Sequence, residues 1–113
     1  MKNIMHAVVI DDEPTVLESL EQLLMLADIE VTTFSDARDA LPLLTTDFRG
    51  VVVSDIRMPG MDGMSLLQSI DQGIPVILIT GHGGIAQAVE AMKLGAFDFI
   101  EKPYRQDRLV ELI

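Results

Sequence analysis

The sequence predicts an α/β domain, a doubly wound parallel sheet with helices on both faces, and three observations carry that prediction. Strand-like apolar runs and helix-like amphipathic stretches alternate through five units without a repeat, a low-complexity tract or a linker. Four of the runs end on chemically loaded residues: Val8-Val9-Ile10 on Asp11-Asp12, Val51-Val52-Val53-Ser54 on Asp55, Val76-Ile77-Leu78-Ile79 on Thr80, and Phe97-Asp98-Phe99-Ile100-Glu101 on Lys102. The length of 113 residues, 49% of them hydrophobic, suits one domain, residues 1–113, around one core.

Each element has a local reason. After the first strand, Pro14 fits the first turn of a helix, where its missing N–H costs little. Val16, Leu20, Leu23, Leu24 and Ala27 supply that helix with a core-facing stripe. Residues 29–34 are rich in β-branched side chains, and Ser35 or Asp36 can cap a second helix through Ala37, Ala40, Leu41 and Leu44. Pro42 weakens or kinks it. Beyond the third strand, Met58-Pro59-Gly60-Met61-Asp62-Gly63 is turn chemistry, and Met64, Leu67 and Ile70 begin a third helix. Gly73 and Pro75 punctuate the entry to the fourth strand. Gly81-His82-Gly83-Gly84 reads as a flexible loop before a fourth helix carrying Ile85, Val89 and Met92, with Gly95 as its C-cap. The fifth strand, residues 96–101, leads through Lys102-Pro103 into a helix from about Gln106. A two-turn final helix without a cap predicts that the chain is the N-terminal fragment of a longer protein, its last helix truncated.

Composition excludes several functions. With 18 acidic against 8 basic residues the net charge is −10, which opposes contact with a phosphate backbone, so no direct nucleic-acid binding is expected. The absence of cysteine removes disulfides, thiolate nucleophiles and thiolate metal sites. No basic leader precedes a long apolar stretch and no run could span a bilayer, so no membrane association and a cytoplasmic location are expected.

If the runs are parallel strands, their carboxyl ends lie along one edge, where open α/β sheets place their ligand crevice. Asp11, Asp12 and Asp55 would then repel and raise one another's pKa values unless a cation keeps them ionised. Oxygen-only donors favour magnesium, with manganese possible. Magnesium leaves a coordination position for a phosphoryl oxygen, Lys102 offers a charge to that group, and Thr80 offers a hydrogen bond. An Asp carboxylate can itself form an acyl phosphate, so no serine, histidine or cysteine nucleophile is required.

Taken together and in order, Asp11-Asp12, the Asp55 segment through Gly63, Thr80-Gly81 and Lys102-Pro103 resemble the receiver domain of two-component response regulators over essentially the whole chain. The resemblance implies a flavodoxin-like five-stranded sheet of order 2-1-3-4-5. It implies Asp55 as phosphoacceptor from the phosphohistidine of a sensor histidine kinase, with Mg2+ held by Asp11, Asp12, Asp55 and the backbone carbonyl of Arg57. It also implies Lys102 on the phosphoryl group, Thr80 drawn toward it, and Phe99 as the aromatic that rotates into the space Thr80 vacates. The stretch Thr80 to Pro103 is most similar to the nitrogen-regulatory and dicarboxylate-transport class that activates sigma-54 polymerase, then to the FixJ type. Departures are Phe99, which gives the switch no hydroxyl, and Gly84, where many relatives carry an acid.

Other readings compete at each residue. Asp11-Asp12 could cap the first helix, Asp55 could be a turn residue, Lys102 a solvated charge, Thr80-Gly81 a strand running into a loop, and Phe99 core. His82 and Arg57 read as loop residues that tune access of water to an acyl phosphate, and the seven methionines need no cofactor. A magnesium-dependent phosphatase with an Asp nucleophile is the enzyme alternative. Such enzymes carry a second Asp two residues on, where this chain has Arg57. A pseudo-receiver would lack acids or the lysine, and a flavin or nucleotide binder would want a glycine-rich loop where Asp11-Asp12-Glu13-Pro14 stands. The small and apolar faces of helix 4 (Ala86, Ala88, Ala91, Leu94), with strand 5 and helix 5, predict a phosphorylation-dependent homodimer. Leu17, Met25 and Leu26 on helix 1 predict a docking face for the kinase.

Overall fold

A computed structural model describes residues 5–81 and 84–113. His82, one of the residues read above as tuning water access, lies outside the described residues.

Five parallel strands, β1 (His6–Ile10), β2 (Glu30–Phe34), β3 (Val51–Asp55), β4 (Val76–Thr80) and β5 (Asp98–Glu101), form one sheet in the order β2-β1-β3-β4-β5. The order and class are those expected. Because successive residues of a strand face opposite sides, each strand feeds two cores. Ala7, Val9, Val53, Ile77, Ile79 and Ile100 pack beneath α1 (Pro14–Leu26) and α5 (Gln106–Leu112) with Leu20, Leu24 and Leu109. Val8, Ile10, Val52, Val76 and Leu78 face α2 (Ala37–Ala40), α3 (Gly63–Ser69) and α4 (Ile85–Lys93) with Leu66, Leu67 and Ala91. β4 is buried throughout, and β1 and β3 at all but one residue each, as continuous apolar runs in a doubly covered sheet require.

Helix starts follow the capping chemistry. Pro14 opens α1, and Glu13, not an aspartate, occupies its N-cap without a side-chain bond. Asp36 caps α2 by accepting the Arg38 N–H at 2.9 Å, and Asp62 caps α3 by accepting the Ser65 N–H at 2.8 Å. α2 stops at Ala40, short of the Leu44 expected, because Pro42 cannot donate to the Arg38 carbonyl. Turns carry the chain onward, and Leu44 is still buried. In α3 the buried set is Leu66, Leu67 and Ile70, while Met64 is half-buried. Gly95, at φ 106°, ends α4 in the left-handed conformation expected of a glycine there.

Two surface expectations change. Leu17 is half-buried against the α1/α5 core, leaving Met25 and Leu26 as the exposed apolar residues of α1. On α4 the stripe Ile85, Val89 and Met92 points outward, 59, 48 and 40% exposed, and Ala88 and Ala91 are the residues pressed fully onto the sheet. Ala86 is exposed and Leu94 half-buried. The fully buried side of α4 is therefore made of methyl side chains.

Enlarging the buried side of α4 with Ala91→Leu is expected to cost about 1–3 kcal/mol by overpacking, whereas Met92→Ala should stay within about 0.5 kcal/mol. Urea denaturation midpoints measure both, and the reverse order would mean that α4 sits with its large residues inward.

Candidate functional site

β1 and β3 are neighbours, paired Val9 with Val53 and Ile10 with Ser54, so the residues after their ends are delivered side by side. Asp11, Asp12 and Asp55 each present a carboxylate oxygen, all within 4.8 Å of one another. Asp11 is buried at 1% exposure, Asp55 half-buried and Asp12 exposed. Asp11 is held by the α1 entry, where its Oδ1 accepts the Glu13 N–H at 2.9 Å. Its other oxygen, Oδ2, is buried with no hydrogen-bond partner. An acceptor in that position suits an electropositive ligand, and oxygen donors alone suit magnesium.

Burial is the largest influence on both inner acids, pushing the Asp11 and Asp55 carboxyls above the usual range. The amide of Glu13 opposes this at Asp11, while the charge of Asp55 reinforces it. At Asp55 the Lys102 ammonium opposes it first, then the amides of Arg57 and Ile56. Lys102 comes from the next edge of the sheet: its backbone N–H bonds the Thr80 carbonyl at 2.8 Å, and its Nζ stands 3.9 Å from Asp55 Oδ2. That separation is long for a direct bond and leaves the ammonium able to reach a group placed on Asp55. The Lys102–Pro103 peptide bond is cis.

Thr80 ends β4 buried, and its hydroxyl donates to the Gly81 carbonyl at 3.2 Å. By strand parity Thr80 and Phe99 share the α3/α4 side of the sheet: Leu78 and Phe99 are register partners in that core, and Thr80 is two residues beyond Leu78. Phe99 is half-buried against the core, compatible with both readings made of it. The Arg57 side chain is exposed, and among the described residues no backbone amide donates to its carbonyl. Asp11, Asp12, Asp55 and Lys102 are thus assembled in one cluster, with Thr80 tied to it through the Lys102 amide and Arg57 at its rim. Neither aspartate is the N-cap of α1, a position held by Glu13, although Asp11 accepts the Glu13 N–H at the entry of that helix.

Two glycines matter here beyond turn chemistry. Gly63 is buried behind Asp55, where a Cβ would lie 2.7 Å from the Asp55 carbonyl oxygen and 3.0 Å from Ile56 Cα. The Gly63 N–H bonds the Ile56 carbonyl at 2.8 Å, fixing the backbone that aims Asp55. Gly84 is packed against Thr80 in the same way. Nothing in the sequence distinguishes a glycine needed for turn geometry from one needed for space. Nor does the sequence mark Tyr104, which lines a groove with Lys102; burial, then the charge of Asp11, holds its phenol above the usual range.

The raised carboxyls predict a pH dependence. Asp11 and Asp55 hold protons more tightly folded than unfolded, so their contribution favours the fold below the ordinary carboxylate range. It is lost as pH rises through their raised folded values. In chelator at pH 7, Asp55→Asn is therefore expected to melt above the wild type, the gap closing toward pH 3. Magnesium should raise the wild-type Tm and do less for the variant. Calorimetric scans check this, and a variant less stable than wild type in chelator at pH 7 contradicts it.

A family model, the response regulator receiver domain, matches residues 7–113. The chain is 50% identical over 105 residues to the C4-dicarboxylate transport transcriptional regulatory protein DctD of Rhizobium meliloti, covering 90% of this chain and 23% of that protein. It is 49% identical over 114 residues to the transcriptional regulatory protein FixJ of Bradyrhizobium diazoefficiens, covering 96% and 54%. A crystal structure of a response regulator receiver domain protein from Clostridium thermocellum superposes with a TM-score of 0.90 at 34% identity, covering 96% and 90%. The chain spans about a quarter of DctD and about half of FixJ. No helix among the described residues is long and apolar enough to cross a membrane. With its sheet order, its acid cluster and a family match along almost its full length, the chain belongs to the receiver domains of two-component response regulators.

Proposed function

We propose that this domain is a covalent switch in which Asp55 accepts a phosphoryl group from the phosphohistidine of a sensor histidine kinase. The observation that carries the proposal is the clustering of Asp11, Asp12 and Asp55 oxygens within 4.8 Å, with the Lys102 ammonium 3.9 Å from Asp55. An Asp55 carboxylate oxygen attacks phosphorus, the phosphorus–nitrogen bond breaks, and the imidazole leaves with the bonding pair and takes up a proton. Mg2+, or Mn2+ in its place, would be held by Asp11, Asp12, Asp55 and the Arg57 carbonyl; when bound it neutralises charge on the transferring group. Lys102 reaches the phosphoryl oxygens with its ammonium. Thr80 turns its hydroxyl to them, and Phe99 follows into the space released.

The output is the face formed by α4, β5 and α5, which pairs with a second copy when Asp55 is phosphorylated and so controls a transcription-regulating output domain. The exposed Ile85, Val89, Met92 and Phe97 support that reading. The kinase bundle docks on α1, beside the groove lined by Thr15, Val16, Ser19, Leu20, Lys102 and Tyr104. A chemical-shift map that left α1 untouched would remove that part. The chemistry is self-catalysed phosphorylation and dephosphorylation rather than turnover of an external substrate. Arg57, in the place of a second aspartate, weighs against the phosphatase alternative.

Incubation with acetyl phosphate and magnesium is expected to give an acid-stable, hydroxylamine-labile phosphate on the wild type and none on Asp55→Asn. By sedimentation, the phosphorylated wild type should shift toward a dimer while the variant does not. Labelling that survives Asp55→Asn would refute the phosphoacceptor assignment, and steady hydrolysis of phosphate esters would restore the phosphatase.

A further inference from the structure

Gly84 occupies the N-cap of α4 at φ −88° and ψ 17°, a conformation open to any residue, so the backbone does not call for glycine there. The space does. A Cβ at Gly84 would lie deep inside van der Waals contact with Thr80 Oγ1, 3.1 Å from Thr80 Cβ and 3.2 Å from the Gly81 carbonyl oxygen. Both the Thr80 hydroxyl and the Gly84 N–H donate to that carbonyl, each at 3.2 Å. The Gly84 carbonyl in turn accepts the Ala88 N–H at 3.0 Å, tying the position into the first turn of α4. The threonine hydroxyl therefore rests in a seat that exists because residue 84 has no side chain.

We propose that Gly84 is a positioning residue that sets the resting rotamer of Thr80 and thereby the bias of the switch. The inference rests on the reading that Thr80 senses the phosphoryl group on Asp55. Thr80 Cβ carries a hydroxyl, a methyl and a hydrogen, which exchange places among three staggered wells. With a side chain at position 84, the place facing α4 admits only the hydrogen, and one well of the three satisfies that. In it the hydroxyl has left its seat. A cavity of about 150 Å³ bounded by Ile56 and Arg57, the two residues that follow Asp55, with Thr80, Gly81, Gly84 and Gln87, gives it somewhere to go. A seated hydroxyl competes with a phosphoryl-engaged one, so filling the seat removes the competitor and raises apparent affinity by the fraction released.

The test uses the 113-residue chain with beryllofluoride and magnesium as the phosphoryl probe. Three-bond couplings to the Thr80 γ-methyl carbon report its χ1 in the resting chain. Gly84→Ala is expected to change that χ1 and to tighten beryllofluoride binding by about fivefold or more. In a Thr80→Ala background, Gly84→Ala should leave affinity within about twofold, because the collision is gone. An unchanged χ1 with displaced α4 amides would overturn the proposal, as would equal or weaker binding by Gly84→Ala. If Gly84→Ala unfolds, restoration of Tm in the Thr80→Ala, Gly84→Ala double variant supports the contact, and lack of restoration refutes it. Absence of beryllofluoride binding by the wild type would instead strike at the phosphoacceptor reading, leaving the χ1 measurement to decide the steric claim alone.

Discussion

Three carboxylates held at one edge of a parallel sheet are the constraint around which the molecule is arranged. Adjacency of β1 and β3 forces Asp11, Asp12 and Asp55 together, and burial raises the cost of ionising the inner two. The protein offsets part of that cost with the Lys102 ammonium, the Glu13 amide and the amides that follow Asp55. It does not complete the offset: Asp11 Oδ2 is left buried and unpartnered. A domain built only for stability would have no reason to keep such an atom, since an unmet buried acceptor costs about 1–3 kcal/mol. In the function proposed above, that deficit is where a cation would be held beside the phosphoacceptor.

How such a change reaches the surface depends on what stands between the acids and α4. Thr80 is anchored through its carbonyl to the Lys102 amide, so its backbone belongs to the acid edge while its side chain faces α4. α4 rests on the sheet through Ala88 and Ala91 and turns Ile85, Val89 and Met92 to solvent. Methyl groups give little interdigitation to resist sliding, in contrast to α1, which drives Leu20 and Leu24 into the core. α4 is thus shallowly keyed to the sheet and carries an exposed apolar stripe, which suits the responding role proposed for it.

Much of this was legible in the chain. Apolar runs with a polar terminus mark both a strand and its carboxyl end, so Asp11, Asp12, Asp55, Thr80 and Lys102 could be placed along one edge before any coordinate was known. Pro14, Asp36 and Gly95 acted as their chemistry requires. The orientation of α4 was not legible, because Ile85-Val89-Met92 and Ala88-Ala91 both have helical spacing and hydrophobicity favours the larger set. Which set lies inward is a tertiary choice, and it has no signature in one sequence. The same holds for Gly63 and Gly84: each reads as a turn residue, yet each is required by a neighbour far along the chain or across a loop.

A crystal structure with magnesium and beryllofluoride tests the central claim most directly. Beryllium is expected on an Asp55 carboxylate oxygen, and one magnesium, at about 2.0–2.1 Å from its ligands, on Asp11, Asp12, Asp55 and the Arg57 carbonyl. Lys102 and Thr80 would each touch a fluoride. Beryllium on any other side chain, or magnesium bound without Asp55, would contradict it.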